Sequence, residues 1–365
     1  MVVSSILKFE NSEAFANSLD EADPLKGYRE KFCFPSKSSL KDGKYKENAE
    51  DKVIYFAGNS LGLQPKKAKE YINRELEDWA AYGVEGHWNA RSPWLPYHEQ
   101  LTEMAARLVG AKPLEVVIMN TLTVNLHLML VSFYRPTKTK YKILIEGGAF
   151  PSDQYAVQSQ AKFHGYSPNE AVLELHPREK EETMRTEDIL SFIEKHGDEI
   201  AVIVLGTVNY LTGQAFEVEK IVEAAHKKGC KVGLNLAHGA GNLLLKLHDW
   251  KVDFAVWCNY KYLNGGPGTI AGCFIHENHA KDFDLPRFAG WWGHDKKTRF
   301  EMGPNFDPIT GAEGWQLSNP PIFQMAALKA SYEIFDQATM AAVLGKSDKF
   351  TGFLEFLVNK IPIGV

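Results

Sequence analysis

Short apolar runs alternate with longer segments of helical periodicity through the middle of the chain. The apolar runs are rich in branched residues and predict strands at residues 116–119, 142–146, 171–175, 201–206, 231–235, 254–258 and 270–275. Helices are predicted between many of them, at residues 123–133, 152–164, 186–195 and 218–228. Strands that are apolar throughout and joined through helices are typical of a mostly parallel sheet covered on both faces. The pattern therefore predicts an α/β fold.

Helical segments also flank this core. Residues 65–82 predict a helix with Pro65 in its first turn and Gly83 beyond its end. Residues 320–335 and 337–359 predict two long helices near the end of the sequence. No repeat or Pro/Gly-rich linker interrupts the chain, so the boundaries between its parts are not marked by composition.

Composition excludes several classes of protein. The 365 residues are enough for about two domains, and 44% hydrophobic with 24% charged residues is ordinary globular composition. Acidic residues number 46 and basic residues 41, which gives a net charge of −5. A chain without an overall basic surface is a poor nucleic-acid binder, so we expect no nucleic-acid partner.

The cysteines and the sequence ends predict a cytoplasmic protein. Four cysteines lie far apart without a Cys-x-x-Cys pair, which argues against a zinc knuckle or a disulfide framework. The first 17 residues lack a cationic leader, so no secretory signal is expected. The most membrane-like stretch, residues 114–134, carries too many polar side chains for a bilayer, so we expect no membrane partner.

The segment from Asp253 to Thr269 carries the most chemical information. An apolar strand leads to Lys261, which lies between Tyr260 and Tyr262 and is followed by glycines. Partial burial at a strand end lowers the pKa of a lysine amine and favours imine formation. A lysine that extends into solvent beside a simple turn is the structural alternative, and on this segment alone it is the more frequent case.

Polar residues at other predicted strand ends favour the imine-forming lysine over the solvent-exposed one. One strand ends at Asn235 and is followed by His238, and another leads to Phe150 and Asp153. Thr123 opens a helix directly after a strand, where free amides bind phosphate, although it can also be a simple N-cap. Ligands of open α/β sheets bind at the carboxyl ends of strands. A lysine, a phosphate site and a stacking aromatic together point to pyridoxal 5'-phosphate.

The chain resembles the kynureninases, hydrolases that use pyridoxal 5'-phosphate on the type I fold. The similarity runs from about Tyr55 to the end, in blocks that follow the family order: YFAGNSLGLQPK, GVEGHW, TLTVNLHLML, AFPSDQYA, YLTGQ, LAHGAGN, LHDWKVDFAVW, NYKYLN, GWWGH and SNPPI. One such block alone is weak evidence, whereas this many in order are specific. The resemblance implies a large domain of the fold-type-I transferase kind, with a mostly parallel sheet covered by helices, plus an incomplete small domain.

The resemblance also implies roles for matching positions. Lys261 would hold the cofactor as an imine, and Lys261 and Tyr260 would be catalytic. The cofactor-binding residues would be Leu122, Thr123, Phe150, Pro151, Ser152, Asp153, Gly206, Asn235, His238, Tyr260, Lys261, Trp291 and Asn319. The residues lining the substrate's aryl pocket would be Ser60, His87 and Asn319.

Within that set, the resemblance assigns separate contacts. Leu122, Thr123 and Tyr260 would hold the phosphate, and Phe150 would stack on the pyridine ring. Asp153 would contact the 3-hydroxyl side of the ring, with His238 and Gly206 beside it. Trp291 and Asn319 would reach the site across the interface of a homodimer with shared active sites.

Several of these positions have a structural alternative. His87 can simply cap a loop, Trp291 can be a core aromatic, and Ser60 can be a turn residue. His276 and His279 are three residues apart without companion ligands nearby, so we interpret them as surface histidines and predict no metal site.

The implied reaction is hydrolysis of L-kynurenine or 3-hydroxy-L-kynurenine to anthranilate or 3-hydroxyanthranilate plus L-alanine, with an aryl amino acid as the small-molecule substrate. The implied organisation is an N-terminal arm with helices at residues 1–85, a cofactor-binding large domain at residues 86–318, and long helices leading into a truncated small domain at residues 319–365.

Two departures from the family leave a second hypothesis open. Asn235 stands where the family carries an aspartate against the pyridine nitrogen, and an uncharged amide cannot form that ion pair. The family's closing small-domain segment, with its carboxylate-binding arginine, is expected to be missing. The alternative is therefore a truncated pseudoenzyme that acts as a binding or dimerisation partner. Another lyase, such as a cysteine desulfurase, is disfavoured because the aryl-pocket blocks match kynureninase.

Overall fold

The computed structural model describes residues 8–39 and 50–362. The helices of these residues are α1 (Glu13–Glu21), α2 (Lys67–Tyr82), α3 (Gly86–Asn89), α4 (Glu99–Val109), α5 (Leu122–Phe133), α6 (Pro151–Phe163), α7 (Pro168–Ala171), α8 (Thr186–His196), α9 (Val218–Lys227), α10 (Ile322–Ala338) and α11 (Met340–Val358). The strands are β1 (Phe32–Cys33), β2 (Gln64–Pro65), β3 (Val116–Ile118), β4 (Lys142–Glu146), β5 (Val172–Leu175), β6 (Ile200–Gly206), β7 (Lys231–Asn235), β8 (Phe254–Trp257) and β9 (Gly272–Ile275).

Seven strands form one mostly parallel sheet in the order β3-β9-β8-β7-β6-β4-β5. The pairs from β5 to β8 are parallel, whereas β9 is antiparallel to both β8 and β3. Parallel neighbours need a long crossover, usually a helix, and the connection from β8 to β9 has none in the structure. The predicted α/β class is confirmed, and the antiparallel edge is what the alternating pattern did not show.

The register of the central strands aligns their carboxyl ends. Gly206 at the end of β6 pairs with Asn235 at the end of β7, and Asn235 pairs in turn with Val256 of β8. Because these strands are parallel, the residues that follow them leave the sheet at the same edge. The functional residues predicted after these strands therefore start from neighbouring positions.

Each face of the sheet is covered by its own hydrophobic core. Alternate residues of β6 point to opposite faces, so that Ile203 and Leu205 belong to one core and Val202 and Val204 to the other. The first core includes residues of α4, α8, α9 and α10, and the second includes residues of α5 and α6. The two-sided burial explains why the strand sequences are apolar throughout.

Some predicted boundaries are wrong. Pro65 lies in β2, which pairs with β1, and the helix begins at Lys67. Helix α7 takes up Ala171, so β5 starts one residue later than predicted. The final helices meet at Thr339, where the backbone has φ of 65° and breaks the helical path. Helix α4 was missed altogether.

Within residues 8–39 and 50–362, the helices are either too short or too polar to span a bilayer. The stretch that looked most membrane-like is divided between β3 and α5, both of which pack into the cores described above.

Candidate active site

A loop after β8 presents Lys261 at the carboxyl edge of the sheet. Asn259 fixes this loop from below, because its buried side chain donates to the Ile270 carbonyl at 2.7 Å and accepts from Trp257 Nε1 at 3.0 Å. The backbone closes around it through a hydrogen bond from Gly265 N to the Asn259 carbonyl at 2.8 Å. The alternative in which Lys261 extends freely into solvent is therefore not what the structure shows, since Lys261 lines a pocket.

His238 is the nearest polar partner of Lys261. Lys261 Nζ lies 3.0 Å from His238 Nε2, and His238 Nδ1 lies 3.3 Å from the Tyr262 hydroxyl. Burial, together with the nearby Lys261 charge, lowers the pKa of His238 to about 4. The imidazole is therefore neutral at neutral pH, and it accepts from the lysine at Nε2 when its proton is on Nδ1.

Two helix N-termini meet beside the lysine. Helix α5 begins at Leu122 and α6 at Pro151, and the Thr123 and Ser152 hydroxyls from their first turns lie 2.7 Å apart. Free amides at helix N-termini favour anions, and two adjacent hydroxyls add donors of the kind that phosphate oxygens accept. This corner of the pocket is suited to a phosphate group.

Phe150 and Gly206 line the same pocket as Lys261 and the two helix N-termini. Lys261 Nζ lies 5.8 Å from the centre of the Phe150 ring, and the Phe150 and Tyr210 rings meet edge to face at 5.5 Å. A Cβ atom at Gly206 would lie 3.0 Å from Glu146 Oε1. A side chain at Gly206 would therefore crowd Glu146 in the pocket that Gly206 and Phe150 both line.

Asp153 and Asn235 form the polar wall of the pocket. Asn235 Nδ2 donates to Asp153 Oδ2 at 2.7 Å. Burial raises the pKa of Asp153 to about 6, against the lowering effects of the Asn235 hydrogen bond and the Lys261 charge. Asp153 Oδ1 is enclosed and finds no hydrogen-bond partner in the described part of the chain.

One pocket collects most of the predicted residues. Its lining includes ten of them, namely Leu122, Thr123, Phe150, Ser152, Asp153, Gly206, Asn235, His238, Tyr260 and Lys261. Four further lining residues were not predicted from the sequence, namely Glu146, Val208, Tyr210 and Ala237. Glu146 had a detectable signal, since it is an acid at the end of a strand that is otherwise apolar.

The other predicted residues do not line this pocket in the single chain. Pro151 heads α6 with its side chain exposed, and Asn319 is also exposed. Trp291 donates from Nε1 to the Arg299 carbonyl at 3.1 Å, in a separate surface hollow. His87 Nδ1 lies 2.9 Å from the Val84 carbonyl. Their functional roles stay predictions.

Ser60 is exposed but belongs to a segment that contacts the lysine loop. Gly62 N donates to the Tyr260 carbonyl at 2.8 Å, and Asn264 Nδ2 donates to the Leu63 carbonyl at 3.0 Å. A Cβ atom at Gly62 would collide with the Lys261 carbonyl, so only glycine permits this approach. Ser60 therefore lies two residues from a close backbone contact with the pocket wall.

The interpretation of His276 and His279 as surface residues is wrong. His276 is buried, with Nε2 3.2 Å from the His248 carbonyl, and its Nδ1 accepts from Asn278 N at 3.1 Å. His279 Nε2 lies 2.8 Å from the buried carboxylate of Asp253. The partners lie in other parts of the sequence, which is why local spacing did not reveal them.

The residues of the pocket fit pyridoxal 5'-phosphate. A lysine amine, a phosphate-binding corner and an aromatic ring supply its expected contacts, and the unpartnered Asp153 Oδ1 offers an acceptor to a further donor. Burial, reinforced by Cys258, raises the pKa of Tyr260 to about 12, so its hydroxyl keeps its proton and can donate.

Comparison with known proteins agrees with this chemistry. The family model for class-V aminotransferases matches residues 54–362. Kynureninase from Myxococcus xanthus is 66% identical over 356 residues, which cover 98% of this chain and 81% of that protein. Kynureninase from Koribacter versatilis is 58% identical, over 96% of this chain and 81% of the relative, and that from Nematostella vectensis is 52% identical, over 95% and 75%.

Solved structures share the fold at low sequence identity. A C-DES variant with Gly covalently linked to its PLP cofactor superposes with a TM-score of 0.70 at 18% identity, covering 84% of this chain and 78% of that one. The cysteine desulfurase CsdA from Escherichia coli gives a TM-score of 0.69 at 17% identity, covering 92% and 77%. Similarity at this level of identity concerns the fold alone.

Proposed function

The chain belongs to the kynureninase family, and from that membership we propose that its pocket hydrolyses L-kynurenine or 3-hydroxy-L-kynurenine. The products are anthranilate or 3-hydroxyanthranilate and L-alanine. The observation that carries the proposal is the single pocket in which Lys261 lies together with nine other residues at family-matching positions. The cofactor of this hydrolase is pyridoxal 5'-phosphate.

The pocket has a place for each part of the cofactor. Lys261 would hold its aldehyde carbon as an imine, while the N-termini of α5 and α6, with the Tyr260 hydroxyl, would hold its phosphate. Phe150 would cover one face of the ring. When bound, the cofactor supplies an electron-withdrawing ring that stabilises negative charge on the carbon beside the substrate's amine.

Protons are handled by residues next to that ring. When it is not bonded to the cofactor, the Lys261 Nζ could take and return a proton, and the neutral His238, whose Nε2 lies 3.0 Å away, could accept a hydrogen bond from it. Tyr260 keeps its hydroxyl proton at neutral pH and is suited to donate to the oxygen that gains charge when water adds to the aryl ketone. The water supplies a hydroxyl to the aryl acid and a proton to alanine as the carbon–carbon bond breaks.

The aryl end of the substrate would lie against Ser60, His87 and Asn319. The contact of Gly62 with the Tyr260 carbonyl supports this assignment for Ser60, because it brings that segment to the rim of the pocket. His87 lies in a cluster of aromatic side chains, with its ring 5.5 Å from that of Trp94. The assignments of His87 and Asn319 rest on their matching positions in the family.

The assembly that we propose is a homodimer in the cytoplasm. Phe150 and Leu211 beside the pocket are exposed apolar residues, as expected where a second subunit covers the site with its Trp291 and Asn319. The buried thiols of Cys230, Cys258 and Cys273 are unpaired, which fits a reducing compartment. The domain boundaries after residues 85 and 318 belong to the same proposal.

The pocket supports an enzyme over the pseudoenzyme alternative. Asn235 lacks a charge, but it hydrogen-bonds a neighbouring carboxylate, Asp153, which faces the same pocket. The site therefore keeps an acidic group on the wall where the family aspartate is absent.

Reductive trapping tests the cofactor site. Borohydride reduction of protein incubated with pyridoxal 5'-phosphate should label one peptide, the one that contains Lys261, and Lys261→Ala should lose both the label and kynurenine cleavage. Lys195→Ala, which removes an exposed lysine on α8, is the matched control and should keep both. A label that persists in Lys261→Ala contradicts the site, and a wild-type protein that is labelled but does not cleave kynurenine contradicts the activity.

A further inference from the structure

The orientation of the Asn235 amide is fixed from two sides. Its Oδ1 accepts a hydrogen bond from Ala237 N at 2.8 Å, and its Nδ2 donates to Asp153 Oδ2 at 2.7 Å. A backbone N–H can only donate, so the oxygen of the amide must face Ala237 and its NH₂ group must face Asp153. The NH₂ group of Asn235 therefore donates to the Asp153 carboxylate and cannot turn away from it without losing the Ala237 hydrogen bond.

This arrangement leaves one oxygen of Asp153 available. Asp153 Oδ1 is enclosed and has no hydrogen-bond partner among residues 8–39 and 50–362. Leaving a buried carboxylate oxygen unpaired is costly, and a donor or a cation in the pocket would relieve that cost. Asp153 also lines the pocket, so a group bound there can approach this carboxylate.

The other titratable groups around the pocket do not compete for this role. Glu146 accepts from Asn209 Nδ2 at 2.9 Å and from the backbone of Gly206, so its carboxylate is engaged. His238 and Tyr260 are neutral at neutral pH. Lys261 is the nearby cation.

The pair also resembles a known electrostatic arrangement. Two carboxylates at hydrogen-bond distance share one proton, because both cannot ionise together, and the pair then carries a single negative charge. An amide that donates to a carboxylate gives the same hydrogen bond and the same total charge. In this chain the donor is permanent, so the charge resides on Asp153.

We infer that Asp153, held by the Asn235 amide, is the carboxylate that pairs with the protonated pyridine nitrogen of the bound cofactor. Asn235 is then a positioning residue, and the ring keeps its counter-ion although the family aspartate is absent. The family resemblance implies instead that Asp153 contacts the 3-hydroxyl side, which leaves the ring nitrogen without a charged partner. The inference rests on the cofactor of the proposed function but not on kynurenine cleavage.

The protonation state of the ring nitrogen tests this directly. Protein loaded with pyridoxal 5'-phosphate labelled with ¹⁵N in the ring is followed by NMR across a pH series. Asp153→Asn should lower the pKa of the nitrogen by about 1–3 units, the effect of removing one close opposite charge. Asn235→Leu should give a smaller fall, because Asp153 remains but loses its donor. Glu146→Gln removes the other pocket carboxylate and should change the pKa less than Asp153→Asn.

Asn235→Asp separates this inference from the alternative in which the ring nitrogen has no charged partner in the wild type. If the Asp153–Asn235 pair already supplies the charge, the added aspartate shares a proton with Asp153 and leaves the pKa of the nitrogen near its wild-type value. A rise of a unit or more in Asn235→Asp, or no change in Asp153→Asn, overturns the inference. If Asp153→Asn does not fold, the pKa of the ring nitrogen in Asn235→Leu and in Asn235→Asp still tests the inference. A wild-type protein with a protonated ring but no kynurenine cleavage contradicts the proposed function and leaves this inference standing.

Discussion

Gly206 shows how closely single positions determine the shape of the pocket. It ends β6 beside Asn235, and an added Cβ atom would lie 3.0 Å from Glu146 Oε1 and 3.2 Å from the Val208 carbonyl. Contacts this short force either the Glu146 side chain or the backbone to move. Glu146 would then leave its hydrogen bonds with Asn209 and Gly206 and approach the cofactor space.

Gly206→Ala should therefore lower the free energy of unfolding by about 1–3 kcal/mol, the usual cost of overpacking, and weaken cofactor binding. Thermal melting of the apo-protein and titration with pyridoxal 5'-phosphate measure the two effects. Gly27→Ala is the control, because a Cβ atom there meets nothing within 4 Å. Equal behaviour of the two variants would show that the gap beside Gly206 is not needed.

Local sequence identified the residues whose role depends on their own segment. Lys261 became a candidate because a strand, two tyrosines and glycines mark it, and polar residues at neighbouring strand ends then favoured a cofactor site over a solvent-facing lysine. Glu146 was missed although its position at the end of an apolar strand marks it, because an acid at a strand end usually faces solvent; in the fold it is buried. His276 and His279 were misjudged because their partners, His248 and Asp253, lie at least 26 residues away along the chain.

At the scale of elements, Asp253 joins several pieces of secondary structure. It precedes β8 and accepts from Val232 N of β7 at 2.9 Å, and it contacts His226 of α9 and His279, each at 2.8 Å. Lys231 Nζ adds a contact at 3.0 Å. Burial alone would raise the pKa of Asp253, but the hydrogen bonds from His226 and His279 and the Lys231 charge outweigh it and hold the pKa well below its ordinary value of 3.8.

Asp253→Asn should lower the free energy of unfolding by about 3 kcal/mol at pH 7, because it breaks a buried charged network. A carboxylate with a depressed folded-state pKa contributes its stability above its ordinary pKa and loses it as the pH falls further. The difference between variant and wild type should therefore shrink below about pH 4 in urea unfolding curves. Asp188→Asn, at an exposed pair with Arg178, should have little effect, and a pH-independent difference for Asp253→Asn would contradict the electrostatic account.

The helices that were missed or displaced have physical explanations. Leu101, Ala105 and Leu108 are buried at the spacing of a helix, so α4 was detectable from periodicity. Pro65 was assigned to a helix start because proline favours the first turn, but pairing with β1 captured it instead. In this case a tertiary contact prevailed over a local preference.

At the scale of the whole molecule, the alternation of strands and helices was enough to predict the fold class, whereas the order of strands was not. A parallel sheet follows from helical crossovers, but the placement of β9 between β8 and β3 depends on a loop without a helix. The same loop holds Lys261. The connection between β8 and β9, whose course the sequence pattern did not predict, is therefore the one that brings Lys261 to the pocket. The proposed homodimer is likewise not predicted by the pattern of strands and helices, and its test is the mass of the protein in solution.

Exposed apolar side chains around the pocket predict that the protein forms a dimer in solution. Leu211 is 74% exposed and follows Tyr210 of the pocket, and Tyr155 on α6 is 68% exposed. Charged substitution in an apolar interface leaves an unpaired charge buried, which disfavours association. Light scattering during size-exclusion chromatography should give the wild type twice its chain mass of 41.0 kDa and give Leu211→Glu a smaller value, with weaker cofactor retention. Leu354→Glu, at an exposed leucine of α11 outside the pocket, should remain dimeric, and a monomeric wild type with full activity would show that one chain completes the site alone.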